Sequence, residues 1–122
     1  MRALSIRQPY AEMILRGEKT IEYRSRPTKI IGERFYIYAA KKWAGVPPIN
    51  GHAPNAPQAP HGEGLEPGDS PTGVIVGTAV ISHCTNGGSG RSAYHWHLTD
   101  VRRFKKPRGV KRQPQPVWFK PF

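Results

Sequence analysis

A proline- and glycine-rich stretch in the middle of the chain limits what the rest of it can fold into. Residues 44–73 contain seven of the 13 prolines and six of the 13 glycines of this 122-residue sequence. Proline removes a main-chain donor and glycine adds backbone freedom, so this segment is predicted to be a long surface loop. Neither flanking part is large enough to fold alone. The sequence therefore predicts one domain over residues 1–122, with the loop at about 44–73 as an insertion.

The part before the insertion predicts one short helix. Apolar residues recur at helical spacing from Tyr10 to Arg16, after a proline that suits a first helical turn. Glu12 and Arg16 are spaced to pair at i, i+4, and Gly17 is a suitable stop. We therefore expect a helix of two turns over residues 10–16.

The remaining regular segments are predicted to be strands, because they are rich in β-branched and aromatic residues. They are the runs 19–24, 34–40, 74–83, 94–98 and 101–104, with a break expected at Asp100. Gly77 is expected to mark a bulge or a close approach of two backbones, and the VWF at 117–119 to close a sheet edge. Several short strands and one or two short helices predict an α+β fold, a small bent sheet or partly closed barrel.

The charge of the chain is strongly positive. Nineteen Lys and Arg residues face eight Asp and Glu residues, and residues 101–122 carry eight basic residues and no acidic one. Such a field attracts polyanions, so nucleic acid is the predicted partner, with a merely solvated basic surface as the alternative. Four residues of this stretch are expected to contact phosphates: Arg102, Arg103, Lys105 and Lys106.

Nothing in the sequence predicts a membrane span or a signal peptide, because apolar runs are short and the start lacks a continuous apolar region. The one cysteine, Cys84, excludes an internal disulfide and suits a reducing, cytoplasmic location. His83, Cys84, His95 and His97 do not follow a zinc-finger spacing, so neither a metal nor a cofactor is expected. His95 and His97 would share one face of a strand that also contains Trp96.

The stretch GEKTIEYRS, residues 17–25, combines Lys19, Glu22 and Arg24 within six positions. On an ideal strand Lys19 and Glu22 would point to opposite faces, whereas a turn after Gly17 would aim Lys19 inward. If they converge, Glu22 can accept a bond from a base amino group and Arg24 can hold a phosphate or carbonyl. The alternative is a structural Glu22–Arg24 ion pair.

Several segments together resemble the ASCH domain family (activating-signal-cointegrator homology). They are LSIRQPYAEMILRGEKTIEYRS, FYIYAAKKW, GVIVGTAVISHC, YHWHL and QPQPVWF. The resemblance implies a small PUA-like β-barrel of five to six strands that handles RNA or modified bases. Described members include nucleic-acid binders, a proposed ribonuclease and an acetylcytidine amidohydrolase.

The resemblance also implies catalytic roles within GEKTIEYRS. The hydrolase branch uses a lysine at the position of Lys19, a threonine where this chain has Glu22, and a later glutamate without a clear counterpart here. Lys19 and Glu22 are therefore the candidate catalytic residues if the chain is an enzyme.

Other candidate contacts to nucleic acid lie on either side of the helix and before the insertion. Ser5, Arg7 and Gln8 precede the helix, where an anion is favoured, although simple capping is the alternative. The remaining candidates are Arg24, Arg26, Lys41, Lys42 and Trp43. The expected function is recognition of RNA, rather than DNA, or of a modified base in a basic cleft. The alternatives are an amidohydrolase or metal-independent ribonuclease, and a module whose insertion docks a protein partner.

Overall fold

The computed structural model describes residues 1–44, 64–87, 89–112, 114 and 117–122. Its α-helix and strands are β1 (Ala3–Gln8), α1 (Tyr10–Arg16), β2 (Ile21–Arg24), β3 (Arg34–Trp43), β4 (Val74–Asn86), β5 (Tyr94–Arg108) and β6 (Trp118–Phe119), with a short 3₁₀-helix at Gly90–Ser92. Most of the predicted insertion, residues 45–63, lies outside the described residues. The helix and strands that are described confirm a small, mostly β, α+β fold.

The six strands form one mixed sheet in the order β2-β5-β4-β3-β1-β6. β1 and β3 are parallel, and each of the other neighbouring pairs is antiparallel. Within the described residues the sheet is open, with β2 and β6 as its two ends, so the expected closure into a barrel is not seen. A side chain spans the gap instead, because Nη2 of Arg24 in β2 donates to the main-chain oxygen of Ser5 in β1 at 3.0 Å.

The helix has the predicted bounds. Gly17 follows it in the left-handed conformation at φ 79°, which glycine adopts without strain, and its N–H caps the last turn. The predicted Glu12–Arg16 pair is present, with Arg16 Nε 2.8 Å from a Glu12 carboxylate oxygen. One face of the helix buries Ala11 and Ile14 against the sheet.

The longest strands bend at irregularities rather than ending. The break expected at Asp100 is wrong, because β5 continues through it; Asp100 has φ 47°, and the pairing with β4 shifts register beside it. A bulge absorbs an extra residue without ending the ladder, and alternation alone cannot tell it from a break. Gly77 confirms the expected close approach, since a Cβ there would lie 2.3 Å from the oxygen of Arg102.

Two apolar clusters occupy the two faces of the sheet. The larger lies between the sheet and α1 and includes Leu4, Ile14, Phe35 and Trp96. The smaller contains Ala3, Tyr38, Ile75 and Phe119, with Phe122 packed against it. The VWF tail thus closes the edge of the sheet as expected, since β6 pairs with β1.

The described end of the predicted loop is attached to the core. Residues 64–73 form turns without helix or strand, and Leu65 is buried. The oxygen of Pro71 accepts a bond from Gln8, and the N–H of Gly73 donates to Ala39. In the described parts of the chain, no helix has the length and apolar character that a membrane crossing requires.

Candidate functional site

Lys19 reaches its place through the turn that ends helix α1. The N–H groups of Glu18 and Lys19 both donate to the oxygen of Met13, at 2.9 and 3.2 Å. Strand β2 begins only at Ile21, so the predicted strand start at residue 19 is wrong and strand alternation does not govern Lys19. Its Nζ lies 3.9 Å from Oε1 of Glu22. The turn therefore brings Lys19 and Glu22 together. This is the second arrangement considered from the sequence, in which a turn after Gly17 aims Lys19 inward.

Glu22 and Arg24 form the ion pair that was the structural alternative for this stretch. Nε and Nη2 of Arg24 lie 2.8 and 2.6 Å from the same carboxylate oxygen, Oε2 of Glu22. The guanidinium also lies 5.6 Å from the ring centre of Trp96 and donates to Ser5. Arg24 is thus fixed on several sides, and the second carboxylate oxygen of Glu22, Oε1, is left facing Lys19.

The ammonium of Lys19 is enclosed by aromatic rings. Its Nζ lies 5.3 Å from the ring centre of Tyr10 and 4.6 Å from that of Tyr23. Only 13% of the Lys19 side chain and 10% of the Glu22 side chain are exposed. Burial lowers the pKa of the Lys19 ammonium; Glu22 opposes this shift and Arg24 adds to it. The sequence reasoning missed Tyr10 and Tyr23, although both lie within ten positions of Lys19 and Tyr23 alternates with Glu22 and Arg24.

Two polar atoms of this cluster lack hydrogen-bond partners among the described residues. Nζ of Lys19 and Oε1 of Glu22 face each other at a distance longer than a hydrogen bond. Neither atom is fully buried, so both remain accessible to a ligand. We define Lys19, Glu22 and Arg24, with the rings of Tyr10 and Tyr23, as the Lys19 cluster. It can donate to a carbonyl or phosphate oxygen and accept from an amino group within the same small volume.

The segment before the helix divides into structural and exposed residues. Gln8 is fully buried; its Oε1 accepts from the N–H of Glu12 and its Nε2 donates to Pro71, both at 2.9 Å. Gln8 is therefore a capping residue without a free polar atom, which was the alternative for this segment. Arg7 is exposed and Ser5 is half-buried. Arg26 is exposed as well, and its main-chain oxygen accepts from the indole of Trp96 at 2.9 Å.

The candidates before the insertion lie at the end of β3. The side chains of Lys41 and Lys42 are exposed and that of Trp43 is half-buried. Trp43 pairs with Gln8 of β1, and its indole nitrogen is buried without a partner among the described residues. The other tryptophans are structural, since Trp96 is buried and stacks on Trp118 with ring centres 5.8 Å apart.

The basic stretch of β5 separates into paired and unpaired residues. Arg103 makes two bonds of 2.8 Å to the carboxylate of Glu12, which also receives Arg16. Arg102 lies 3.4 Å from a carboxylate oxygen of Asp100. Lys105 and Lys106 are exposed, and no described carboxylate lies within ion-pair distance of either. The four expected phosphate contacts are thus not equivalent, because Arg103 has a structural role. The sequence did not reveal this role, since Arg103 and Glu12 are 91 positions apart.

His83, His95 and His97 lie on the face of the sheet opposite Trp96. The rings of His83 and His97 stack with centres 4.0 Å apart, and His95 lies 6.5 Å from His97. Cys84 instead packs against the larger core cluster. Over the described ranges, no group of three or more His, Cys, Asp or Glu side chains is arranged to hold a metal ion.

Comparison with known proteins gives a consistent picture of the fold. A family model described as the ASCH domain matches residues 4–108. Two similar solved structures are ASCH from Zymomonas mobilis and a mutant form of that protein, both 16% identical to this chain. Each comparison covers 97% of this chain and 85% of the other, with TM-scores of 0.62 and 0.61. At this identity the likeness shows the fold alone. No curated protein matches the chain.

Proposed function

Because this chain belongs to the ASCH domain family, we propose that it binds RNA at the Lys19 cluster and recognises a base there. The observation that carries the proposal is the pair of facing polar atoms without hydrogen bonds, Nζ of Lys19 and Oε1 of Glu22, on side chains that are only 13% and 10% exposed. A nucleobase edge that has an amino group beside a carbonyl or ring nitrogen complements one donor and one acceptor.

The rings beside the Lys19 ammonium and the positive charge of the whole chain support a nucleic-acid ligand. Tyr10 and Tyr23 border the ammonium, and aromatic faces of this kind stack on bases. Arg26, Arg7, Lys41 and Lys42 are exposed basic residues of the same chain, whose formal net charge is +11. Phosphate attraction would supply affinity, while the Lys19–Glu22 pair would supply base discrimination.

Hydrolysis of RNA or of an acetylated cytidine is the second candidate function. It is favoured by the lowered pKa of Lys19, because a partly desolvated ammonium loses its proton more easily and the amine can act as a general base. Glu22 is less suited to this role. One of its oxygens is held by Arg24, so the carboxylate is fixed in place as a hydrogen-bond acceptor.

Purified protein incubated with labelled RNA, with the matching DNA and with acetylcytidine separates these functions. We expect binding to RNA without product formation. Lys19→Ala should weaken binding by about tenfold or more, and Glu22→Gln should reduce the preference between bases by about 1–3 kcal/mol. Lys29→Ala removes an exposed lysine outside the cluster and is the matched control.

The outcomes are distinguishable. Turnover of acetylcytidine or cleavage of RNA that is lost in Lys19→Ala would establish the second candidate instead. Binding that Lys19→Ala and Lys29→Ala weaken equally would place recognition outside the Lys19 cluster. Arg24→Lys tests the structural ion pair, because an ammonium cannot reproduce the contacts to both Glu22 and Ser5; it should lower the melting temperature.

A further inference from the structure

A continuous row of aromatic rings crosses the sheet face opposite the larger core cluster, starting at the Lys19 cluster. Tyr23 of β2 meets His95 of β5 edge-to-face, with ring centres 4.9 Å apart. His95 is followed by His97 at 6.5 Å, and His97 stacks on His83 of β4 at 4.0 Å with an interplanar angle of 10°. We call these four residues the ring track.

The register of the strands explains why the rings line up. Tyr23 pairs with His95, and His83 pairs with His97, so the four side chains project from the same face of three neighbouring strands. Trp96, between the two histidines of β5, points to the core instead. The rings therefore line up because side chains alternate along each strand and the strand register places these residues next to one another.

The ring track is open to solvent. Tyr23 is 48% exposed, His83 is exposed, and His95 and His97 are half-buried. A large exposed tyrosine beside a stacked imidazole pair has no role in the core clusters. Flat rings on an open sheet face are the surface on which recognition sheets stack two or three unpaired bases.

The hydrogen bonds of the histidines favour stacking over metal binding. Nδ1 of His83 lies 2.9 Å from the hydroxyl of Ser82, and Nε2 of His97 lies 2.8 Å from the hydroxyl of Thr85. These contacts occupy one ring nitrogen of each histidine and fix the ring planes. Burial and the neighbouring His83 and His95 also lower the pKa of His97, which keeps its ring uncharged at neutral pH.

We propose that the ring track is a second binding surface, on which consecutive unpaired bases of a single-stranded nucleic acid stack as the strand approaches the Lys19 cluster. Two observations direct the strand: the ammonium of Lys19 lies over the ring of Tyr23, and the chain as a whole attracts phosphates. The inference rests on the proposed nucleic-acid function and adds where the flanking bases lie.

Stacking is tested by separating bases from phosphates. The probe is a fluorescently labelled oligouridine of about ten nucleotides, within the usual site sizes of single-strand binders, beside an abasic strand of equal length. His83→Ala and Tyr23→Ala should weaken binding of the oligouridine at least about fivefold and leave binding of the abasic strand within about twofold. His83→Phe and Tyr23→Phe keep a ring and should retain affinity. Thr99→Ala, on the same strand as His97, is the control.

The other possible outcomes would contradict the stacking proposal. Equal losses on both strands, or a loss in the Phe variants as large as in the Ala variants, would overturn stacking and leave phosphate contacts. An effect that appears only when zinc is added would assign the histidines to metal and also overturn it. If the unmodified protein binds neither strand, or binds both equally, the proposed recognition of bases fails; if it prefers the oligouridine and His83→Ala leaves that affinity unchanged, only the ring track does. Melting temperatures of the Ala variants confirm that they are folded.

Discussion

At the scale of single residues, the Lys19 cluster combines features that oppose each other energetically. Burial destabilises the ammonium, while the nearby Glu22 carboxylate and the faces of Tyr10 and Tyr23 stabilise it. A charge kept in such a setting without a hydrogen bond adds little to folding. This imbalance is typical of residues that contact a ligand.

Substitutions of Glu22 and Arg24 are predicted to shift the pKa of Lys19 in opposite directions. Titration of the lysine side chains by NMR should give Lys19 a pKa below its ordinary value of 10.5. Glu22→Gln removes the neighbouring negative charge and should lower this pKa further, whereas Arg24→Gln removes a positive charge and should raise it. A pKa that is unchanged in both variants would contradict the placement of Lys19 between these side chains. If the protein hydrolyses its ligand, the rate should rise with pH through the same pKa.

At the scale of secondary-structure elements, helix α1 is held on strand β5 by one carboxylate. Glu12 is buried, accepts two bonds from Arg103 and one from Arg16, and so joins the helix to the longest strand of the sheet. The two arginines lower the pKa of Glu12, although its burial partly opposes them. The turn that carries Lys19 follows this helix directly, so the same contact positions the candidate site.

Arg103→Met is expected to lower the free energy of unfolding by about 1–2 kcal/mol at pH 7, because it removes a two-pronged bond to a buried carboxylate. The folded-state pKa of Glu12 lies below the unfolded one, so the stabilisation is present above the ordinary carboxyl pKa and is lost as the pH falls through the lowered value. The difference between the two proteins should therefore shrink toward pH 3. Urea unfolding between about pH 3 and pH 7 measures it.

Lys105→Met is the control for this experiment, since Lys105 lies on the same strand without a carboxylate partner among the described residues. A loss of stability in Lys105→Met equal to that in Arg103→Met would mean that the bond to Glu12 contributes nothing specific. A difference that stays constant across the pH range would mean that Glu12 does not carry the effect.

At the scale of the whole molecule, basic residues outnumber acidic ones by 19 to eight, and some of the basic side chains bond to carboxylates within the fold. Arg24, Arg34 and Arg103 bond to carboxylates, whereas Lys105 and Lys106 are exposed and unpaired among the described residues. Long-range attraction depends on the total charge, but contact with phosphates requires side chains that are free to reach them. The unpaired lysines are therefore the better candidates for such contacts.

A salt titration of RNA affinity tests this distinction. If Lys105 and Lys106 contact phosphates, replacing both by Ser should weaken binding and reduce the slope of log affinity against log salt by about 1–2. The same charge change in Lys29→Ser with Lys120→Ser, at two other exposed positions, should alter the slope less. Equal slopes in the two double variants would show that only net charge matters and that the phosphate contacts lie elsewhere.

The sequence by itself determined the features that depend on neighbours along the chain. Helical spacing and the glycine after it gave the bounds of α1, and i, i+4 spacing gave the Glu12–Arg16 pair. Alternation and composition located the strands and placed His95 and His97 on one face. The charge balance and the segments resembling the ASCH family also needed no coordinates. These properties act over a few residues or over the whole composition, so a linear pattern contains them.

Only the tertiary structure decided which distant groups meet. The turn after α1, and not strand alternation, aims Lys19 at Glu22. The bond between Glu12 and Arg103 depends on how the helix packs on the sheet, and the row from Tyr23 to His83 depends on the register of three strands. Such contacts form when the core packs and the strands pair in one register. Packing and pairing bring together residues that are far apart in sequence, so a local pattern does not contain them. Strand pairing also determines that the sheet is open among the described residues. A side chain of β2 bridges the gap to β1.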